Sequence, residues 1–294
     1  MRLTVIGSGP AAPQPDTPAS GLLVEAGETR VLIDCGLGVV GALRRLIDPT
    51  TLSAVVIGHM HADHSADLAG LRYLFPWGER ADPRLPVFLP PGGCDRLAAL
   101  ATAISERVGF FDAAYDITEY GDDESVTVGG LRATFVRSHH YVPAWSVVLE
   151  SPADGRLVYG GDTGPNPDLA TLARGAALLV CEATLASPAE DTPDRGHLAL
   201  SEALDVARAS GVPRLLVTHY PSERRAVMAA EIAMRSGGPA RVDLAVPMLT
   251  IDLGEKVRPA VAGGAERVRA VGASRSFGAS SARCGGALRR RSQD

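Results

Sequence analysis

The chain has 294 residues, 46% of them hydrophobic, enough for one large or two small domains with a sizeable core. No apolar stretch approaches a membrane span, and Met1 to Gly7 enters a strand without the apolar core and cleavage site of a signal peptide, so a cytoplasmic protein with no membrane partner is expected. Residues 255–294 hold nine of the 29 Lys+Arg and three of the 34 Asp+Glu; the remaining 20 basic and 31 acidic residues leave residues 1–254 at −11, a poor platform for a long polyanion but open to a small phosphate ester drawn in by metal ions.

Leu3 to Gly7 reads as a strand and Ser8 to Pro18, rich in Pro and Gly, as a loop able to rim a site. Leu22 to Glu25 and Arg30 to Asp34 form a predicted hairpin, followed by a helix from about Gly38 to Ile47 that Pro49 stops. Ala54 to Ile57 is a buried strand, and a helix is predicted over Ala66 to Phe75. A strand at Val87 to Leu89 and a helix from Cys94 to Val108 complete the first half.

From Tyr115 the period changes to two: Tyr115 to Glu119, Ser125 to Val128, Leu131 to Ser138, Trp145 to Glu150 and Leu157 to Gly161 are strands. Leu178 to Cys181 is another, then a helix over Ser201 to Ser210, a strand over Leu215 to Thr218, a helix from Ser222 to about Arg235 and last strands within Val242 to Leu253. Two successive β-rich halves with helices predict two sheets packed face to face with helices outside. Beyond residue 254 the chain is basic, aperiodic and rich in Ala, Gly, Ser and Arg, which predicts a disordered tail; its Arg289-Arg290-Arg291 could touch nucleic acid or membrane, or be solvated only. Cys35, Cys94, Cys181 and Cys284 are widely spaced and are expected as buried small hydrophobes, not as disulfides or zinc thiolates.

Between the strand ending at Ile57 and the predicted helix lies Gly58-His59-Met60-His61-Ala62-Asp63-His64, with four potential ligands in six residues. Imidazoles at spacing two leave a strand end on one side, and the next turn brings Asp63 and His64 round to face them. That arrangement suits two adjacent cations, because three imidazoles and a carboxylate in one turn would otherwise repel or stay unpaired. Further ligand candidates are His139, His140, Asp162, His197 and His219. Asp162 and His219, like His59, end strands, as a site along one edge of stacked sheets requires.

The ordered set His59-Met60-His61-Ala62-Asp63-His64, His140, Gly161-Asp162-Thr163-Gly164, Cys181-Glu182-Ala183-Thr184, Gly196-His197-Leu198 and Thr218-His219 resembles the metallo-β-lactamase fold, in its ribonuclease Z-like branch. The resemblance spans residues 1–253 and implies an α/β fold, a four-layer αβ/βα sandwich, with two zinc ions, manganese being the alternative. It implies one ion on His59, His61, His140 and Asp162, and the other on Asp63, His64, Asp162 and His219. Its pattern sets a ligand three residues before a proline, and Pro143 selects His140 over His139. Glu182 and His197 match the pair that assists proton transfer to the leaving group, and Asp63 is expected to orient the attacking water as well as bind metal.

A tRNA-processing ribonuclease Z carries a substrate arm between the positions of His140 and Asp162, where only 21 residues intervene here. With the acidic body, this favours a small phosphodiester as substrate; the pattern including Asp16 to Gly21 and Gly38 to Leu43 resembles the atypical cyclic-nucleotide phosphodiesterases of actinobacterial type. The alternatives are a ribonuclease Z-like RNA 3'-end endonuclease and a non-catalytic, metal-dependent nucleic-acid-binding protein, and a homodimer fits any of these. The expected domains are a hydrolase over 1–254 and the tail over 255–294. Phe75, Trp77, Tyr141 and Trp145 are candidates to stack on a base, the competing assignment for each being the core.

Overall fold

Alternating apolar strands and amphipathic helices place each hydrophobic stripe against a neighbouring layer, in two seven-stranded sheets. The structure, a computed structural model, describes residues 1–76, 82–105, 109–235 and 240–254. In the first half run β1 (Arg2–Gly7), β2 (Gly21–Ala26), β3 (Thr29–Ile33), α1 (Val39–Leu43), β4 (Ala54–Val56), α2 (Ala62–Ser65), α3 (Leu68–Arg72), β5 (Leu85–Leu89), α4 (Gly93–Ile104) and β6 (Tyr115–Glu119). The second half has β7 (Ser125–Val128), β8 (Leu131–Arg137), β9 (Trp145–Ser151), β10 (Gly155–Tyr159), α5 (Pro167–Ala173), β11 (Leu178–Glu182), α6 (Leu200–Ser210), β12 (Arg214–Thr218), α7 (Arg225–Met234), β13 (Arg241–Leu244) and β14 (Thr250–Asp252).

The sheet orders are β14-β1-β2-β3-β4-β5-β6 and β13-β12-β11-β10-β9-β8-β7. Leu3, Val5, Val24, Ile33 and Val56 from one sheet and Phe135, Val147, Leu149 and Val180 from the other share the central core. Alternate residues of the same strands, such as Leu23, Leu32 and Val55, face outward onto α1, α3 and α4, while Val158, Leu179 and Val217 face α5 and α6. This gives the α/β four-layer sandwich that the motifs imply. Among the described residues no helix is long and apolar enough to cross a membrane.

Several predicted elements differ in extent. The regular helix after Gly38 stops at Leu43 and continues to Ile47 in tighter turns, with Leu46 N–H donating to Leu43 O at 2.9 Å. Instead of one helix over Ala66 to Phe75 there are α2 and α3, the first starting at Ala62, so Asp63 and His64 lie inside a helical turn. The break falls at Asp67, whose N–H donates to Cys35 O and whose carboxylate accepts from Val40 N–H at 2.9 Å, tying this point to α1. Helix α5 has no counterpart in the predicted elements, although Asn166 caps it and Pro167 opens it, the usual start signal. Cys94 is exposed at the start of α4, not buried, while Cys35 and Cys181 are core residues. Trp77, Cys284, the expected helix end at Val108 and the tail over 255–294 lie outside the described residues.

Candidate metal centre

The centre forms where strand ends of both sheets meet. The turn after β4 is locked by its backbone: Gly58 N–H donates to Asp34 Oδ1 at 2.8 Å, Trp145 N–H of the other sheet donates to Gly58 O at 3.0 Å, and Tyr120 Oη donates to Ile57 O at 2.6 Å. His59 leaves this turn, and α2 then carries Asp63 and His64 back across it. His140 follows β8, Asp162 follows β10 and His219 follows β12. Gly161, at φ +63 and with Trp145 O only 3.1 Å from where a Cβ would sit, delivers Asp162 through a conformation that a side chain would strain.

The predicted ligands come together in two groups, His59 with His61 and His140, and Asp63 with His64, Asp162 and His219. Asp162 lies between them: Oδ2 is 3.8 Å from His59 Nε2, 3.9 Å from His140 Nε2 and 3.5 Å from His219 Nε2, while Oδ1 is 3.4 Å from His64 Nε2. His59 Nε2 and His61 Nδ1 approach to 3.0 Å, and His64 Nε2 and His219 Nε2 to 3.3 Å. Glu182 and His197 sit beside this set, Nδ1 of His197 donating to Glu182 Oε1 at 2.8 Å. His139 turns away, its Nε2 3.0 Å from the exposed Asp194.

The outer hydrogen bonds decide which imidazole atoms face inward. His140 Nδ1 donates to Gly196 O at 2.7 Å and His64 Nδ1 to Asp34 at 2.7 Å, which aims each Nε2 at the centre. Thr184 Oγ1 lies 2.6 Å from Glu182 Oε2 and 2.8 Å from His219 Nδ1. A hydroxyl has one proton to give; directed at the carboxylate, it must accept from His219 Nδ1, so His219 Nε2 also points inward.

Burial drives the pKa of His59, His61 and His140 down, keeping these rings neutral. Burial opposes ionisation of Asp63 and Asp162, but the hydrogen bonds of His219 and His64 at Asp63, and the charges of the same two imidazoles at Asp162, outweigh it and hold both well below the usual carboxylate range. His64 is buried too, and there Asp162 and Asp34 outweigh desolvation and raise its pKa. Two ionised carboxylates among converging imidazole nitrogens demand positive charge, which His64 supplies as a proton and a divalent cation would supply in its place. Asp162 Oδ1 is also buried without a hydrogen bond. Imidazole nitrogens and carboxylate oxygens are the donor set of a divalent transition metal, so these residues fit one.

Residues 29–220 match the model of the beta-lactamase superfamily domain. The chain belongs to the beta-lactamase superfamily. An uncharacterized protein of Mycobacterium tuberculosis is 36% identical over 227 residues, covering 75% of this chain and 81% of its own. A ribonuclease Z of Mycobacterium marinum is 30% identical over 241 residues, covering 75% and 86%. The probable metallo-hydrolase YhfI of Bacillus subtilis is 27% identical over 224 residues, covering 75% and 87%. The crystal structure of YhfI superposes at a TM-score of 0.73 with 23% identity, over 85% of this chain and 98% of that one, and shares the metallo-β-lactamase fold. The protein is accordingly a hydrolase of this superfamily with a His/Asp site suited to divalent metal.

Three residues of this superfamily member to which the sequence reading gave no role, Asp34, Tyr159 and Thr184, support the centre. Asp34 is 1% exposed and accepts from Gly58 N–H, His64 Nδ1 and Tyr159 Oη, the last at 2.6 Å. Thr184 joins His219 to Glu182 as described. Asp34 and His219 hold left-handed backbone, at φ 59 and 53, a strain that functional sites concentrate. The signal for Asp34 was present: like Asp162, it is a carboxylate at the end of an apolar strand.

Proposed function

We propose that the protein is a dinuclear zinc-dependent phosphodiesterase acting on a small phosphodiester such as a 3',5'-cyclic nucleotide. The observation that carries this reading is the interval from His140 to Asp162, which holds only the hairpin of β9 and β10 with the turn Pro152-Ala153-Asp154. A ribonuclease Z-like arm belongs in that interval, and without one the centre opens to a small substrate. The net charge of −11 over residues 1–254 (20 basic, 31 acidic), the proposed hydrolase domain, supports the same choice, since a long polyanion gains little from such a surface.

In this reading His59, His61, His140 and Asp162 hold one ion, and Asp63, His64, Asp162 and His219 the other. Divalent cations there would supply Lewis-acid activation of water and neutralise charge on the phosphoryl group. The chain supplies the proton handling. Asp63, kept ionised by its imidazole neighbours, orients the attacking water as a hydrogen-bond acceptor. Burial alone would lower the His197 pKa, but the hydrogen bond and charge of Glu182 raise it, which favours the protonated ring that can donate to the leaving oxygen. Thr163 N–H and Thr184 N–H both donate to Glu182, which fixes the carboxylate that fixes the histidine.

The second reading, a reduced ribonuclease Z cutting RNA 3' ends, is favoured by the 30% identity to the Mycobacterium marinum enzyme. A parallel assay of zinc- or manganese-loaded protein on cAMP, bis(p-nitrophenyl) phosphate and a 3'-extended precursor tRNA separates them. Turnover of cAMP without site-specific tRNA cleavage is expected. Efficient tRNA cleavage with cAMP untouched would reject the first reading for the second, and activity on none of the three would move the reaction to another ester or thioester.

A further inference from the structure

Of the four aromatic residues that the sequence offers for stacking, Phe75 and Trp145 are 8% and 2% exposed and belong to the core. Trp77 lies outside the described residues. Tyr141 is 54% exposed, one residue beyond His140. Its ring centre is 5.1 Å from that of His140, with planes inclined at 52°, and 5.6 Å from that of His197 at 67°. It therefore stands beside both a proposed metal ligand and the proposed proton donor, at the open side of the centre.

The ring is held at its hydroxyl and along one edge. Its hydroxyl donates to the Asp191 carboxylate, which also accepts from Thr192 N–H at 2.6 Å. Along one edge the ring lies on Gly196: a Cβ there would come within 2.9 Å of Tyr141 Cδ2 and Cε2 and 2.8 Å of His140 Nδ1, so only glycine allows this approach. An exposed tyrosine normally samples several rotamers, and ordering it on a ligand costs free energy. Here that ordering is done beforehand. A large apolar surface is kept open to water and rigid next to a centre built for a charged ester, and nothing in the folding of the core requires it.

We propose that Tyr141 is a fixed stacking platform for the base of a nucleotide whose phosphate occupies the metal centre, making it a specificity-determining residue. The proposal rests on the reading of the centre as a phosphoester site. A phosphate beside His140 and His197 puts the attached nucleoside within reach of the next ring outward, which is Tyr141. Stacking engages the face of any base, so the platform selects nucleotides over base-free sugar phosphates and discriminates weakly among bases.

Calorimetric titration of the full-length, metal-loaded protein with AMP and with ribose 5-phosphate tests this without turnover. The wild type is expected to bind AMP more tightly than ribose 5-phosphate by roughly 5- to 150-fold, the range that base–aromatic stacking supplies. Tyr141→Ala should erase that ratio while ribose 5-phosphate affinity and metal content stay the same. Tyr141→Phe, which keeps the ring and loses the Asp191 anchor, should retain most of it. Equal wild-type affinities, failure of the wild type to bind AMP, or an unchanged ratio in Tyr141→Ala would each overturn the proposal. A protein that binds AMP through Tyr141 yet hydrolyses no phosphodiester would keep the platform and lose the phosphodiesterase reading.

Discussion

From β14 to β6 the first sheet has three antiparallel joins followed by three parallel ones, and from β7 to β13 the second sheet has the same sequence of joins. On this plan β3, β4 and β5 correspond to β10, β11 and β12. The first sheet nevertheless concentrates four proposed ligands in the single turn after β4, whereas the second spreads His140, Asp162 and His219 over the ends of β8, β10 and β12. Corresponding carboxylates also diverge. Asp34 directly follows β3 and stays beneath the centre, while Gly160-Gly161 carry Asp162 further out from β10 into it. The two meet on one imidazole, Asp34 at His64 Nδ1 and Asp162 near His64 Nε2. Position in the plan thus fixes where a carboxylate emerges, and two intervening glycines decide between buttress and ligand.

The largest effect should come from Asp162→Ala, because the Asp162 carboxylate lies near donors of both groups. Metal analysis should find both ions lost and activity on bis(p-nitrophenyl) phosphate below detection; His61→Ala should likewise lose metal and activity together. Retention of two ions per chain by Asp162→Ala would remove the distinction between the two carboxylates. Next in size is His197→Ala, expected to keep both ions and lose turnover by roughly 10²- to 10⁴-fold, as for a general acid. A loss of metal with it would make His197 a ligand and break the division of labour between the sheets.

The contrast also explains what could be read in advance. His59, His61, Asp63 and His64 share one turn, so a local pattern reveals them, and their register on a strand end follows from the pleat. The sandwich could be read from two runs of apolar strands separated by helices. Asp34, Tyr159 and Thr184 work through partners far along the chain: Tyr159 Oη reaches across 125 positions to Asp34, and Thr184 across 35 to His219. No window contains both members, so neither bond has a local signature. The break between α2 and α3 was hidden for the same reason, since it falls at Asp67, which is bonded to Cys35 and Val40.

These distant supports give the intermediate effects. Asp34→Ala leaves His64 Nδ1 and Tyr159 Oη buried and unpaired, and Thr184→Val removes the acceptor that orients His219. Each is expected to weaken metal binding by about 10- to 100-fold, the usual consequence of losing an outer partner of a ligating histidine. Competition with a chromophoric chelator would measure it. Equal losses would mean that the buttress of the first sheet and the hydroxyl of the second do the same task. Asp34→Ala should in addition lower stability by about 1–3 kcal/mol for the groups left unsatisfied, read from urea unfolding of the metal-free protein.

The smallest effect belongs to His139→Ala and sharpens the comparison at a single peptide bond. His139 and His140 follow β8 as neighbours, so their side chains leave in different directions. His140 turns inward, anchored by Gly196 O, and His139 turns out to Asp194, which is 91% exposed. Water screens such a surface pair and competes for both of its members, so little is lost when it is cut. His139→Ala should therefore keep both ions, wild-type turnover and the wild-type unfolding midpoint, whereas His140→Ala should lose metal. The reverse pattern, with metal lost from His139→Ala and retained by His140→Ala, would require the chain after β8 to be rotated by one residue, and the second sheet would then present a different face to the centre.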